Sequence, residues 1–60
     1  MKRNTIKKAY IRHYSDNGQT TGYIDWVDGS RTEGKPRGVH MQALFARARR
    51  EGLKVKRERW

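Results

Sequence analysis

From Ile6 to Tyr14 apolar and polar side chains alternate along a β-branched and aromatic run, the period-two pattern of a strand with one buried face. A second such run covers Thr20 to Val27. A third starts at Ser30 and fades near Lys35, where Gly34, Pro36 and Gly38 interrupt regular structure. Between the runs sit Asn17-Gly18 and Asp28-Gly29, dipeptides that accept the positive φ angles of two-residue hairpin turns. After Gly38 the period changes. Met41, Leu44, Phe45 and Ala48 fall at i, i+3, i+4 and i+7, an apolar stripe on a helix that starts at Val39 or His40 and ends at Glu51. Gly52 suits the position just past a helix end, and Arg47, Arg49 and Arg50 suit the negative end of the macrodipole. Farther on, Leu53 and Val55 alternate with Lys54 and Lys56, so the tail reads either as a short fourth strand or as an extended arm.

These elements predict one α+β domain over residues 1–60: a basic arm (1–5), a three-stranded antiparallel sheet (6–35), one C-terminal helix packed on it (39–51), and a basic tail or strand (53–60). Two-residue turns would set Ile11 opposite Ile24, Ala9 opposite Trp26 and Asp25 opposite Thr32. A longer first loop is the alternative, and a one-residue slip would exchange the faces of a strand. In the two-residue register the core face carries Ala9, Ile11, Ile24 and Trp26, with Arg31 and Glu33 on the outer strand. The other face carries Lys8, Tyr10, Arg12, Tyr14, Tyr23, Asp25, Val27 and Thr32.

Charge gives that second face a meaning. The net charge is +9 at pH 7, which in so short a chain points to a polyanionic partner. Basic residues gather before Tyr14 and after His40, while 15–30 holds Asp16, Asp25 and Asp28 with no Lys or Arg. Tyrosines beside Lys8 and Arg12 suit a surface that holds phosphates and stacks on bases, and a small sheet fits the ~12 Å major groove of DNA. The candidate nucleic-acid-binding residues are therefore Lys8, Tyr10, Arg12, Tyr14, Tyr23 and Thr32, with Arg47 and Arg50 on the helix. Asp25 would pair with Arg12 or accept a hydrogen bond from a cytosine amino group. A rival basic patch joins Arg47, Arg49 and Arg50 to Lys54 and Lys56.

Other chemistries lack their residues. There is no cysteine, so no disulfide and no thiolate metal site. His13 and His40 stand in different elements without matching ligands, and no nucleophile–base pattern is visible. The chain reads as a binding protein, not an enzyme, with no metal and no cofactor. No apolar run reaches the length of a leader core or a membrane span, so the expected setting is the cytoplasm. The expected partner is nucleic acid, duplex DNA ahead of RNA, bound by a monomer. The alternative partner is an acidic surface of another protein, which Trp60 or a sheet edge would engage.

The stretch "AYIRHYSDNGQTTGYIDWVDGSRTEG" followed by "MQALFARARREG" resembles the three-stranded-sheet-plus-helix DNA-binding domains of the AP2 type and of phage and transposon integrase amino-terminal regions. The resemblance is architectural and covers roughly residues 6–52. It implies that the sheet face away from the helix enters the major groove, with Lys8, Tyr10, Arg12, Tyr14, Tyr23 and Thr32 in contact. Asp25 in mid-face departs from that pattern. The chain is also similar, in size, charge and the look of "MKRNTIKKAYIRHY", to small early-region proteins of lambda-like bacteriophages. That implies a bacterial cytoplasm, a regulatory or accessory role, and a host or phage protein as the alternative partner.

Overall fold

The computed structural model describes residues 4–60; residues 1–3 of the expected basic arm lie outside them. Strands β1 (Ile6–Tyr14), β2 (Gln19–Trp26) and β3 (Arg31–Gly34) are followed by helix α1 (Val39–Arg50) and strand β4 (Val55–Arg59). They form a four-stranded sheet in the order β3-β2-β1-β4, with α1 on one face. The tail is thus a strand, and it pairs in parallel with β1, Ala9 opposite Val55 and Ile11 opposite Arg57. The Lys- and Arg-rich composition of β4 suits an edge strand, because charge discourages pairing with another chain.

Both turns differ from the two-residue form, and the difference decides the faces. At the first, Gly18 takes φ +70° and its N–H donates to the Tyr14 carbonyl over 2.8 Å, while Asn17 Oδ1 accepts from the Gln19 N–H at 2.9 Å. Ser15 to Gly18 therefore form the loop, and Tyr14 pairs with Gln19. Ile11 now faces Gly22 and Ala9 faces Ile24. This is a slip of two residues, so β1 keeps its faces. At the second turn Gly29 has φ +93° and the Trp26 N–H donates to the Ser30 carbonyl at 2.9 Å. The loop is Val27 to Gly29, a type I turn closed by a left-handed glycine. Pairing becomes Asp25 with Arg31 and Ile24 with Thr32. A slip of one residue exchanges the faces of β3: Arg31 and Glu33 move to the outer face and Thr32 to the helix side. In each loop only the glycine has positive φ, and the Asn or Asp before it accepts an N–H two residues on. The Ser30 hydroxyl and amide also hold the Asp28 carboxyl below its usual range. This turn contributes stability above the ordinary carboxylate range and loses it as acid protonates Asp28.

The core lies between α1 and the sheet. Ile6, Ala9, Ile24, Met41, Phe45 and Ala48 are buried there, flanked by Ile11, Trp26, Leu44, Leu53 and Val55. By simple alternation Ile6 would share the face of Lys8, but a register shift between Ile6 and Lys8 sets it opposite Trp26 and turns it into the core. The helix start has no side-chain cap, as the sequence around Gly38 implies. Its end is well closed: Gly52 at φ +85° lets the Leu53 N–H reach the Ala48 carbonyl at 3.0 Å and the Gly52 N–H reach that of Arg49 at 3.1 Å, the paired closure of a Schellman motif. That closure reverses the chain and returns Val55 to the edge of β1.

Candidate nucleic-acid interface

Most of the side chains expected to read nucleic acid do meet on the outer face, but they close on one another. Tyr10 and Tyr23, paired across β1 and β2, stack with ring centroids 5.0 Å apart and are only 3% and 6% exposed. The Arg12 guanidinium covers them, 5.5 Å from the Tyr10 centroid, 5.2 Å from Tyr23 and 4.0 Å from the Trp60 ring. Arg12 Nε donates to Glu58 Oε1 at 3.1 Å and another guanidinium nitrogen to the Tyr14 hydroxyl at 3.3 Å. Tyr14 and Tyr23 share a hydroxyl–hydroxyl bond of 2.8 Å. Arg31 Nε donates to Asp25 Oδ1 at 2.8 Å and lies 5.6 Å from Tyr23. Asp25 is thus paired with Arg31, not with Arg12, because the one-residue slip of β3 brings Arg31 to this face. The aromatic rings form a second packed layer whose lid is cationic.

Two expected contacts lie elsewhere. Thr32 is on the helix side, where its Oγ1 accepts from Trp26 Nε1 at 2.8 Å; the shifted β3 register removes it from the outer face. Arg47 turns back toward the start of β1, donating to Glu51 Oε2 at 3.0 Å and the Asn4 carbonyl at 2.9 Å, above the Trp26 ring at 5.5 Å. Lys8 and Arg50 are exposed. Lys8 still leans over Tyr10, 5.4 Å from its centroid.

The hydroxyls of the layer have separated acidities. Hydrogen bonds from Tyr23 and then Arg12 lower the Tyr14 pKa below the ordinary 10.0. The Tyr23 pKa rises, first because of its bond to Tyr14 and then through burial; burial, then the Asp25 charge, raises that of Tyr10. A tyrosinate absorbance titration should show one ionisation below 10.0 and two above, and Tyr14→Phe should delete the early one. Three coincident ionisations would contradict the network. Tyr10 and Tyr23, with raised folded values, stabilise the fold fully below the ordinary tyrosine range and lose that contribution as pH climbs through their folded values. Tyr14, with a lowered folded value, acts in the opposite sense.

With Arg12, Arg31 and Arg47 neutralised by Glu58, Asp25 and Glu51, the other described Lys and Arg side chains have no acidic partner among the described residues. All of these but Lys35 and Arg50 line two hollows beside β4. One, of about 830 Å³, carries Lys7, Lys8, Lys54 and Lys56 near Trp26 and the paired Arg31. The other, of about 520 Å³, opens between α1 and the end of β4 and carries Arg37, Arg49, Arg57 and Arg59, with His13, Gln42 and an apolar floor of Ile11 and Phe45. The sequence reading places the basic tail as a whole on phosphates but does not single out Arg37, Arg57 or Arg59. The signal for the last two was in the tail: once 55–59 is a strand and Val55 packs on the core, residues two and four further on share its face.

Among the described residues no group of three His, Cys, Asp or Glu side chains converges as a metal site would require. Among the described residues no helix is long and apolar enough to cross a membrane. No family model, curated protein or solved structure matches the chain.

Proposed function

We propose that the protein binds duplex nucleic acid, DNA ahead of RNA, chiefly through the sugar–phosphate backbone and with little preference for sequence. It acts as a cytoplasmic binding factor, not as an enzyme. The observation that carries the reading is the sorting of charge. The carboxylates of Asp25, Glu51 and Glu58 are each paired with an arginine of the same fold, which leaves the surface around β4 with unopposed cations. Phosphate is the common partner of such a surface. Burial of Tyr10 and Tyr23 argues against single strands, which need accessible rings for stacking; Trp60, 63% exposed, is the one tryptophan offered broadly to solvent.

The test is the salt dependence of binding to a random-sequence duplex. Contact with about four phosphates predicts a log–log slope near −3.6 and about a 100-fold loss of affinity between 50 and 200 mM salt. A fluorescence anisotropy series reads both quantities. Absence of binding at 50 mM salt, or binding indifferent to salt, would discard the proposal. Capture of a protein from bacterial lysate that survives nuclease, with no duplex binding, would point instead to the acidic-protein partner.

A further inference from the structure

The two hollows beside β4 differ in their chemistry. The hollow near Trp26 offers unpaired lysines, Lys7, Lys8, Lys54 and Lys56, whereas the unpaired cations lining the α1–β4 hollow are Arg37, Arg49, Arg57 and Arg59. Lysine is a mobile, strongly hydrated point charge. Arginine presents a planar fork that grips a phosphate through two parallel hydrogen bonds. We propose that the α1–β4 hollow is a clamp for consecutive phosphates of one strand of a duplex, and that the lysine hollow supplies only diffuse attraction. The proposal rests on the nucleic-acid reading above and names the surface that would carry it.

The fold places the four arginines from three directions. Arg57 and Arg59 lie opposite Ile11 and His13 on the parallel neighbour β1, on the helix side and about 6.6 Å apart along the strand. Side chains at that spacing can reach neighbouring phosphates of one strand, whose helical path sets them farther apart than their ~3.4 Å axial step. Arg49 comes down from α1 and also borders the adjoining hollow with Ile11, Leu53, Val55 and Arg57. Arg37 comes from the loop before the helix. His13 is fixed by a 2.8 Å bond between its Nδ1 and Thr20 Oγ1, and Gln42 adds a neutral donor. Glu58 borders the hollow, but its carboxylate is held by Arg12 on the opposite face. The floor of Ile11 and Phe45 suits the apolar edge of a sugar. Cations around an apolar floor fit a sugar–phosphate chain better than they fit free water.

The experiment compares charge-matched variants by anisotropy with a 20-base-pair random duplex: Arg57→Gln/Arg59→Gln in the clamp against Lys7→Gln/Lys8→Gln at the lysine hollow. These positions are exposed, and a thermal melt checks that each variant folds. The clamp pair should bind about 50-fold more weakly at 0.1 M salt with a slope shallower by about 1.8, the loss of two phosphate contacts. The lysine pair should change affinity by less than about fivefold and leave the slope within about 0.5 of the wild type. A third variant, Arg57→Lys/Arg59→Lys, keeps the charge and loses the fork; binding about three- to tenfold weaker at an unchanged slope is expected. Equal effects of the two Gln pairs, or wild-type affinity in the Lys variant, would overturn the clamp while leaving duplex binding intact. Failure of the wild type to bind would instead remove the reading on which the clamp rests.

Discussion

Arg12→Ala should lower the thermal midpoint by about 10–15 °C, a very large shift for a domain of this size, while leaving the salt slope of duplex binding on the folded fraction unchanged. Arg12 looks like a contact residue on a basic face, yet its guanidinium is committed inward. It lies over Tyr10, Tyr23 and Trp60, bonds Glu58 and Tyr14, and its own pKa is raised, first by the Tyr14 bond. Removing it would leave Glu58 unpaired, the Tyr10–Tyr23 stack uncovered and Trp60, just past β4, without its cationic partner. A charge already matched by Glu58 releases few counterions when DNA approaches, so its loss should not alter the slope. Glu58→Gln, which keeps shape and a hydrogen-bond acceptor, should cost much less. A slope reduced by about one unit in folded Arg12→Ala would restore this face as a phosphate contact. An unchanged melting point would refute the cationic lid.

The contrast between Arg12 and Arg57 shows where sequence reasoning works in this chain and where it stops. Local periodicity is enough for the class: the change from period two to period 3.6 at Gly38 separates sheet from helix, and Gly52 ends the helix where a left-handed residue is needed. The faces of β1 and β2 also survive, because the first loop is longer by two residues and an even slip preserves them. The second loop defeats the same reasoning. Asp28-Gly29 serves a three-residue loop as readily as a two-residue one, and that single residue moves Thr32 to Trp26 and Arg31 to Asp25. What covers a face is harder still to infer. The Arg12–Glu58 pair joins residues 46 apart in the chain, and nothing local announces that β4 will lie in parallel beside β1. Once β4 is placed, Lys56 and Glu58 fall on the tyrosine face and Arg57 and Arg59 on the other. The tail that looked like one basic run is then divided between a packed layer and an open hollow.

Gly22→Val should remove most of the stability of the fold, and the reason lies where the helix crosses the sheet. Gly22 stands between Ile11 on β1 and Gly34 on β3, so two glycines adjoin under α1. A Cβ at position 22 would meet Phe45 Cζ at 2.8 Å and Met41 Cε at 3.3 Å; one at 34 would meet Met41 Cγ at 2.8 Å. The missing side chains let Phe45 and Met41 lie directly on the strands. Overpacking of this kind costs about 1–3 kcal/mol, against the ~3–5 kcal/mol that one small core can supply. The branched Val adds bulk to a contact that even a single methyl violates. Gly22→Ala should therefore fall between wild type and Gly22→Val in urea denaturation, although alanine suits a strand at least as well as glycine. The decisive comparison pairs it with Phe45→Leu. Leucine withdraws the ring that the new methyl would strike, so the double variant should be less unstable than the sum of the single losses, by about 0.5–1 kcal/mol or more. Strict additivity, or a Gly22→Ala protein as stable as wild type, would mean that the helix can lift from the sheet at little cost. The hollow beside it, whose floor is Phe45 and Ile11, would then have no fixed shape with which to hold a phosphate chain.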